Sequence, residues 1–105
     1  MITYSGKSYL IDKTGCIITV PGFYSYYSDY VYVRDSSGQL AKGLITIKGK
    51  RYFFKSDCYL NTGMEADING KAYMTNPSAT KGSSAPEEFY ILSKKDLDEL
   101  FGNSI

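Results

Sequence analysis

Residues 43–64 read GLITIKGKRYFFKSDCYLNTGM and carry the clearest pattern in the chain. It begins with a Gly-Leu pair at residue 43 and ends with a Gly-Met pair at residue 63. Between the two pairs lies the run Gly-Lys-Arg-Tyr-Phe-Phe. Tyrosine and phenylalanine favour strands, and glycine favours tight turns. The stretch is therefore either one hairpin of an ordinary β domain or one copy of a repeat.

Aligned tyrosines recur along the chain at a nearly constant period. They are Tyr9, Tyr32, Tyr52 and Tyr73, separated by 23, 20 and 21 residues. Three residues after these tyrosines come Asp12, Asp35, Lys55 and Asn76, and six residues after them come Gly15, Gly38, Cys58 and Ala79. A Gly-Lys pair precedes the tyrosine in three copies, at residues 6, 49 and 70. Self-similarity at a fixed period of this length indicates stacked repeats.

Each copy has the pattern of a β-hairpin. The first copy, SYLIDKTGCIIT, places a polar turn between two apolar segments, and Gly15 falls where a hairpin loop needs a positive φ. Gly38 has the same place in the second copy. The third copy has Cys58 there, so the pattern predicts a left-handed residue at Asp57 or a different turn type. In the fourth copy Pro77 falls in the turn.

The predicted fold class is all-β: stacked, solenoid-like β-hairpin repeats with a short C-terminal capping α-helix. A two-stranded hairpin is only marginally stable alone, and stacking buries a continuous apolar face. We expect about four repeats of 20–23 residues over residues 1–82, and a linker with a short helix over residues 83–105. The alternative is a single antiparallel sheet or a small barrel in which the period is accidental.

A capping box predicts where the C-terminal helix begins. Ser93 and Asp96 have the required spacing, and Leu92 can pack on Leu97 as a hydrophobic staple. An apolar stripe and a glycine stop follow, made of Leu97, Leu100, Phe101 and Gly102. We expect this helix to cover the open end of the stack. A docking helix for another domain or chain is the alternative.

The composition argues against catalysis, metal binding and nucleic-acid binding. The chain has 12 basic and 11 acidic residues, so it lacks the excess of positive charge on which nucleic-acid affinity depends. It has no histidine, which is the commonest general base and metal ligand. We therefore predict no catalytic residues, no metal and no cofactor. Cys16 and Cys58 are interpreted as small apolar residues, and a single disulfide between them is the alternative.

The sequence leaves the location of the protein open between two alternatives. No secretory apolar segment follows Met1, and no apolar run reaches transmembrane length, so we expect no membrane insertion. The protein is extracellular or associated with the cell wall if this chain is a fragment of an exported protein. It is cytoplasmic if Met1 is the native start.

The best-preserved copy resembles the cell-wall-binding repeat superfamily, which includes the choline-binding repeats. In style it is closest to the repeats of clostridial toxins and glucan-binding proteins. The residues that carry the resemblance are Gly43, Gly49, Tyr52, Phe53, Phe54, Leu60, Thr62 and Gly63. The resemblance covers roughly residues 5–82. It implies stacked hairpins that bind choline-bearing polymers or carbohydrates at bacterial or phage-related surfaces.

The residues at the ligand positions of this family are different in this chain. In choline-binding members, aromatic residues after the repeat glycine and before the aromatic run enclose a quaternary ammonium. The resemblance places Leu44, Met64 and Arg51 at these positions. An arginine repels a cationic ligand, and cation–π attraction needs aromatic faces. We therefore expect a carbohydrate ligand rather than choline.

The candidate ligand-binding residues are tyrosines upstream of this stretch. Carbohydrates present apolar faces and hydroxyl groups, and tyrosine offers both a ring and a hydroxyl. The candidates are Tyr24, Tyr26, Tyr27 and Tyr30, with Asp29 and Arg34 as hydrogen-bonding partners. Strand alternation predicts that Tyr24 shares a face with Tyr26, and Tyr30 with Tyr32. The alternative is that these rings pack between hairpins, as we expect of residues 52–54.

The predicted function is a non-catalytic binding module that attaches to carbohydrate or bacterial cell-wall polymer through this Tyr-rich surface. The main alternative is a protein–protein interaction module of a surface protein, or of a phage or mobile-element protein, that uses the same face. A passive spacer between domains is a third hypothesis. The third copy also has a basic cluster, which comprises Lys42, Lys48, Lys50, Arg51 and Lys55. This cluster is either a solvated face or a contact for an anionic polymer.

Overall fold

The molecule is an elongated stack of β-hairpins, with extents of 56 × 29 × 21 Å. The computed structural model describes the backbone of residues 1–101 and the side chains of residues 1–99. Four two-stranded antiparallel sheets follow one another along the chain, and a 3₁₀ turn and a helix follow them. The predicted fold class is confirmed, and the single sheet or barrel is excluded.

The four hairpins are formed by strands that are adjacent in sequence. They are β1 (Ile2–Tyr4) with β2 (Lys7–Tyr9), β3 (Gly22–Tyr26) with β4 (Asp29–Val33), β5 (Gly43–Ile47) with β6 (Lys50–Phe54), and β7 (Glu65–Ile68) with β8 (Lys71–Met74). The 3₁₀ turn spans Pro86–Glu88, and helix α1 spans Lys94–Phe101. We call the pairs hairpins 1 to 4, and the segment after each hairpin its connector.

Each pair of strands is joined by a two-residue turn, at residues 5–6, 27–28, 48–49 and 69–70. In hairpin 3 both turn residues, Lys48 and Gly49, have a positive φ, of 51° and 82°. This is the signature of a type I′ turn, whose twist matches that of the strands it joins. The main hairpins therefore do not lie across Gly15 and Gly38, where only single antiparallel bridges form, between Ile11 and Ile17 and between Val33 and Leu40. Both glycines do have the predicted positive φ.

A second turn, in each connector, contains the aligned positions that lie three and six residues after the tyrosine. The later amide donates to the earlier carbonyl in every copy, as Gly15 to Asp12, Gly38 to Asp35, Cys58 to Lys55 and Ala79 to Asn76, at 2.8–3.2 Å. Cys58 itself is left-handed, with a φ of 73°, so the predicted shift to Asp57 is wrong. Cys58 is buried and Cys16 exposed, and both are free thiols without a disulfide between them.

Hairpin 2 shifts the repeat by one residue. The third residue after the hairpin turn is Tyr9, Tyr52 or Tyr73 in three hairpins, but Val31 rather than Tyr32 in hairpin 2. The alignment of Tyr32 with the other tyrosines is therefore wrong within the strands. The connector turns keep the predicted alignment, so the second copy has one extra residue between its strand and its connector turn.

Backbone hydrogen bonds join each hairpin to the connector of the next one. Three such bonds repeat through the stack, from Leu40 to Ser8, from Leu60 to Tyr30 and from Ile91 to Arg51, at 2.7–2.9 Å from amide nitrogen to carbonyl oxygen. In each bond the acceptor is the second residue after a hairpin turn. The connector therefore serves as a short third strand for the preceding hairpin and pairs an edge that would otherwise face solvent.

The buried apolar residues form two clusters. One comprises Ala41, Ile47, Tyr52, Phe54, Leu60 and Phe89. The other comprises Leu10, Val31, Val33, Leu40 and Cys58. Tyr52 and Phe54 are buried, as expected of a stacking core, but Phe53 is only half-buried because successive residues of a strand face opposite sides.

The chain beyond hairpin 4 folds back onto the stack. In the other connectors, Leu40 and Leu60 donate the amide hydrogen bond to the preceding hairpin, and the aligned position here is residue 81. Ile91 donates this bond instead, so the last connector has extra residues ahead of it. Phe89, Ile91 and Leu92 are all buried. This returning segment, residues 86–92, leads directly into α1.

The capping box at the start of α1 is confirmed. The amide of Asp96 donates to Oγ of Ser93 at 3.1 Å, and the amide of Ser93 donates to the Asp96 carboxylate at 3.0 Å. The bond from the Ser93 amide holds the pKa of Asp96 below its usual value. The predicted apolar side chains of Leu100 and Phe101 and the stop at Gly102 lie outside the described residues.

Two connector turns depend on ionised carboxylates, so we expect acid to destabilise the stack. Asp12 accepts the Thr14 hydroxyl at 2.7 Å, and Asp35 accepts the Ser37 hydroxyl at 2.5 Å. These hydroxyl bonds, with backbone amides, lower the pKa of both carboxyls below 3.8. Their stabilisation is therefore present above about pH 4 and is lost as pH falls through the lowered pKa.

The measurement is the urea midpoint of unfolding as a function of pH. The double variant Asp12→Asn with Asp35→Asn should show a smaller fall in midpoint below pH 4 than the unmodified chain. Asp98→Asn, on the exposed side of α1, is the matched control and should follow the unmodified chain. An unchanged acid dependence in the double variant would contradict the role of the turn carboxylates.

Candidate functional site

An open cleft of about 740 Å³ lies between hairpins 2 and 3. Four rings and two carboxylates line it, those of Phe23, Tyr32, Tyr52, Tyr90, Glu87 and Glu88. The first three rings come from strands, whereas Tyr90 and the two carboxylates come from the returning segment. Small-molecule sites typically have volumes of about 300–1,000 Å³ and are lined by aromatic residues with a few polar groups. We call this site the central cleft.

Three rings of the central cleft, those of Phe23, Tyr32 and Tyr52, pack against one another. Phe23 meets Tyr32 edge-on, with centroids 4.9 Å apart, and meets Tyr52 edge-on at 5.4 Å. Tyr52 is buried, and its hydroxyl donates to the backbone carbonyl of Glu87 at 2.9 Å. Phe23, Tyr32 and Tyr90 are half-buried, so parts of their rings remain accessible. The cleft therefore has a fixed aromatic wall.

Two acidic side chains stand beside these rings. The backbone carbonyl of Glu88 accepts Nδ2 of Asn76 at 3.0 Å, just as that of Glu87 accepts Tyr52, so the positions of both residues are fixed while their side chains are exposed. Burial raises the pKa of Tyr52, and the negative charges of Glu87 and Glu88 raise it further. The carboxylates are therefore close enough to act on a group bound in the cleft.

A cation of the chain already covers one of the rings. Nζ of Lys50 lies 4.0 Å from the ring centroid of Tyr90, within the range of a cation–π interaction. Lys48 also lines the cleft. With Glu87 and Glu88, the central cleft has two positive and two negative side chains and no net formal charge.

A second cleft, of about 560 Å³, lies between hairpins 3 and 4. Its charged residues are Asp67 and Lys71, and its apolar lining consists of Leu44, Phe53, Ile68 and Tyr73. The guanidinium of Arg51 lies 5.6 Å from the ring centroid of Tyr73. In both clefts, therefore, a cation of the chain itself lies over an aromatic ring.

The structure divides the predicted tyrosines between two faces of hairpin 2. Tyr24 and Tyr26 share one face and pack against the cluster of Val31 and Leu40. Tyr30 lies on the other face with Tyr32, and its ring centroid is 6.5 Å from that of Phe89. The predicted alternation is therefore correct, but the four tyrosines do not form one continuous surface.

The tip of hairpin 2 has a small ledge of rings. Tyr27 is 88% exposed and meets Tyr26 edge-on, with centroids 4.7 Å apart. Tyr59 stacks against Tyr26 at 6.2 Å. We call Tyr26, Tyr27 and Tyr59 the tyrosine ledge. The sequence pattern did not single out Tyr59, because it belongs to the connector of another hairpin.

The other predicted site residues make contacts of their own, although Asp29 lies opposite Tyr26 in hairpin 2. Asp29 forms an ion pair with Lys81 at 3.5 Å, so part of its hydrogen-bonding capacity is used within the protein. Arg34 is exposed at the start of the connector of hairpin 2. Tyr24 donates its hydroxyl to the carbonyl of Val20 at 2.7 Å.

The described part of the chain shows neither a metal site nor a membrane-spanning helix. No group of three or more cysteine and acidic side chains among these residues is placed to hold a metal ion. Within residues 1–101, no helix has the length and apolar character needed to cross a bilayer.

A stack of β-hairpins with aromatic clefts between successive repeats defines the class of this protein as a β-hairpin repeat protein. Among solved structures, the chain is similar to choline binding protein F from Streptococcus pneumoniae, with a TM-score of 0.61 and 21% identity over 81% of this chain and 24% of that one. It is also similar to CbpJ from Streptococcus pneumoniae TIGR4, with a TM-score of 0.63 and 21% identity over 87% of this chain and 33% of that one.

These similarities show that the chain has the choline-binding type of cell-wall-binding repeat fold, as the resemblance implied. The chain spans about a quarter to a third of the length of these proteins. Choline binding protein F has also been crystallised in the presence of a peptidoglycan analogue, a tetrasaccharide-pentapeptide. No protein-family model and no curated protein matches the chain.

Proposed function

We propose that this chain is a non-catalytic binding module that attaches to bacterial cell-wall polymer and holds a carbohydrate unit in the central cleft. The observation that carries the proposal is the packed pair of Phe23 and Tyr32, with Tyr90 and the carboxylates of Glu87 and Glu88 in the same cleft. The similarity to choline binding protein F and CbpJ supports the attachment to cell wall. The choice of a carbohydrate rests on the chemistry of the cleft.

The cleft offers what a carbohydrate needs. Aromatic faces suit the apolar CH faces of a sugar ring, and the edge-to-face arrangement of Phe23 and Tyr32 keeps the wall rigid. Carboxylates accept hydrogen bonds from sugar hydroxyls, and such charge-assisted bonds are about twice as strong as neutral ones. Lys48 adds a donor for ring or hydroxyl oxygens.

Choline is the less suitable ligand for these clefts. The ring of Tyr90 already interacts with Lys50, and the ring of Tyr73 with Arg51. A quaternary ammonium would have to displace these cations or bind beside them, against their charge. The position after the repeat glycine, which is aromatic in choline-binding repeats, is Leu44 in the second cleft, whereas the central cleft keeps an aromatic residue there, Phe23. A neutral sugar meets neither obstacle.

Loss of the two carboxylates is expected to weaken binding to cell-wall polysaccharide about tenfold. The change is Glu87→Gln with Glu88→Gln, which removes the charge but leaves the two backbone hydrogen bonds intact. Both side chains are exposed, so the melting temperature should not change. The measurement is retention on purified cell-wall polysaccharide, with soluble glycan fragments as competitors.

The matched control is Glu65→Gln, an exposed glutamate on β7 away from the central cleft, which should bind like the unmodified chain. Lys50→Met tests the class of ligand, because it frees the ring of Tyr90. We expect the unmodified chain to be insensitive to choline, and Lys50→Met to gain weak sensitivity. Displacement of the unmodified chain by choline would show that the ligand class is wrong.

The tyrosine ledge is the candidate contact for a protein partner. Tyr27 is 88% exposed at a hairpin tip, and tyrosine is enriched at protein interfaces. Tyr27→Ala leaves the central cleft untouched, so it separates the two surfaces. Loss of polysaccharide retention in Tyr27→Ala, together with normal retention in the carboxylate variant, would move the ligand to the ledge and contradict the cleft proposal.

A further inference from the structure

We propose that the N-terminal end of the stack is a docking surface for a further β-hairpin of this same repeat class. The surface is formed by Ile2 and Tyr4 of β1 and by Ile17 of the connector of hairpin 1, and we call it the leading end. The inference follows from the repeated hydrogen-bond pattern of the stack, whichever ligand the clefts bind.

The connector of hairpin 1 is built like the other three. The amide of Ile18 donates to Leu10 at 2.8 Å, and that of Asp12 donates to Cys16 at 2.9 Å. The same two bonds flank one central residue in every connector, and the central residues are Ile17, Leu40, Leu60 and Ile91. Ile17 is therefore the structural counterpart of the three residues that bond to a preceding hairpin.

Ile17 has the geometry of these residues but not their partner. The amides of the three counterparts donate to a hairpin carbonyl at 2.7–2.9 Å, whereas the Ile17 amide donates to no acceptor within the described part of the chain. In the other connectors this amide donates to the carbonyl of the second residue after a hairpin turn. The same kind of carbonyl is therefore the acceptor expected for the Ile17 amide. A hairpin ahead of hairpin 1 supplies such a group at the required spacing.

The side chains of the leading end are exposed where their counterparts are covered. Ile17 is 40% exposed, against 1%, 1% and 3% for the three other central residues. Ile2 is 41% exposed, and its counterpart in hairpin 4, Ala66, is 6% exposed. Tyr4 is 72% exposed, and its counterpart in hairpin 3, Ile47, is 8% exposed. Each exposed position is therefore one whose counterpart is buried in at least one later repeat.

The connector turn of hairpin 1 also lacks its usual neighbour. A Cβ on Gly38 would lie 2.6 Å from Cγ2 of Ile17 and 2.9 Å from the carbonyl oxygen of Ile18, because that turn packs on the preceding connector. A Cβ on Gly15, at the same turn position, would meet no atom within 4 Å. The empty space beside Gly15 corresponds to the space that the preceding connector fills beside Gly38. The proposed occupant of the leading end is therefore a complete repeat, consisting of a hairpin with its connector.

The experiment adds such a repeat to the full chain. A copy of residues 43–64 is placed directly ahead of Met1, so that hairpin 1 follows it with the spacing by which hairpin 4 follows in the native chain. We expect amide exchange of Ile17 to slow by about tenfold or more. Ile17→Lys should lower the urea midpoint of the extended chain clearly more than that of the native chain, in which Ile17 is already 40% exposed. Gly15→Ala should become about as destabilising in the extended chain as Gly38→Ala.

A scrambled extension of the same composition is the control, and it should leave exchange of Ile17 unchanged. An extension that stays unfolded would overturn the proposal, as would an equal effect of Ile17→Lys in both chains. Self-association of the native chain that Ile17→Lys abolishes would also overturn it, because a second copy would then occupy the leading end.

Discussion

Replacement of Gly38 by alanine is expected to destabilise the protein by about 2–5 kcal/mol. Gly38 has a φ of 83°, and the left-handed region costs a residue with a Cβ about 1–2 kcal/mol. The new methyl group would also lie 2.6 Å from Cγ2 of Ile17 and 2.9 Å from the carbonyl oxygen of Ile18. Overpacking of this kind costs about 1–3 kcal/mol. The Ile18 oxygen belongs to the backbone, so it cannot move aside as a flexible side chain does.

Gly15→Ala is the matched control for this change. Gly15 has nearly the same φ, 87°, but nothing lies within 4 Å of its Cβ position. Its replacement should therefore cost only the conformational part, about 1–2 kcal/mol. Urea unfolding of both variants at neutral pH measures the difference. Equal losses of stability in the two variants would show that the close approach of Gly38 to the preceding connector contributes nothing.

The stacked-hairpin fold could be predicted because individual residues of the connector turns recur at the repeat period. The aligned Asp12 and Gly15, and Asp35 and Gly38, are the two ends of one hydrogen-bonded turn in successive copies. In these two copies the aspartate side chain accepts nearby amides at one end of the turn, and a glycine with a positive φ forms the other end. The hydrogen bond of the turn recurs in all four copies, and its aspartate and glycine recur in the first two, so the sequence shows a period.

The position of the hairpins could not be taken from the same glycines. Gly15 and Gly49 both have a positive φ, so both satisfy the sequence pattern of a turn. Only strand pairing distinguishes them, because full strands pair across Gly49, whereas a single bridge between Ile11 and Ile17 spans the turn at Gly15. A sequence signal was nevertheless present, since Asn69-Gly70 is a preferred pair for a two-residue hairpin turn.

The central cleft could not be predicted from the sequence because three of its lining residues lie outside the repeat. Phe23 could have been identified from the sequence, because it follows Gly22 at the position that is aromatic in the family pattern. Glu87, Glu88 and Tyr90 belong to a segment without periodicity, and they reach the cleft only because Ile91 takes the place of a connector residue. The bond from Tyr52 to Glu87 spans 35 residues, and no local pattern predicts such a contact.

The cations were partly predictable. Arg51 was identified from the family pattern as a charge at a cage position, and its guanidinium does lie over an aromatic ring, that of Tyr73. The ring covered by Lys50 is that of Tyr90, which no repeat alignment includes. The pattern therefore indicated that a cation stands near the rings, but only the three-dimensional structure shows which ring each cation covers.

Replacement of Phe54 by alanine is expected to cost about 3–5 kcal/mol, a large part of the stability of a domain of this size. The ring is fully buried in the cluster that joins hairpins 2 and 3 and the returning segment. It packs against Tyr32 and Phe23 at centroid distances of 6.3 and 6.4 Å, so its loss leaves a cavity behind the aromatic wall of the central cleft. The variant should therefore lose both stability and polysaccharide binding.

Phe53→Ala is the matched control, because it makes the same substitution at a less buried phenylalanine. Phe53 is the neighbouring phenylalanine on the same strand, but it is half-buried and faces the second cleft, so its loss should cost clearly less than that of Phe54. Thermal unfolding followed by circular dichroism gives the comparison, and Phe54→Ala should lower Tm by more than about 10 °C. Because the buried ring ties three segments together, the loss should appear as one cooperative transition at lower temperature. Equal shifts in the two variants would contradict the placement of the core on the Phe54 side of β6.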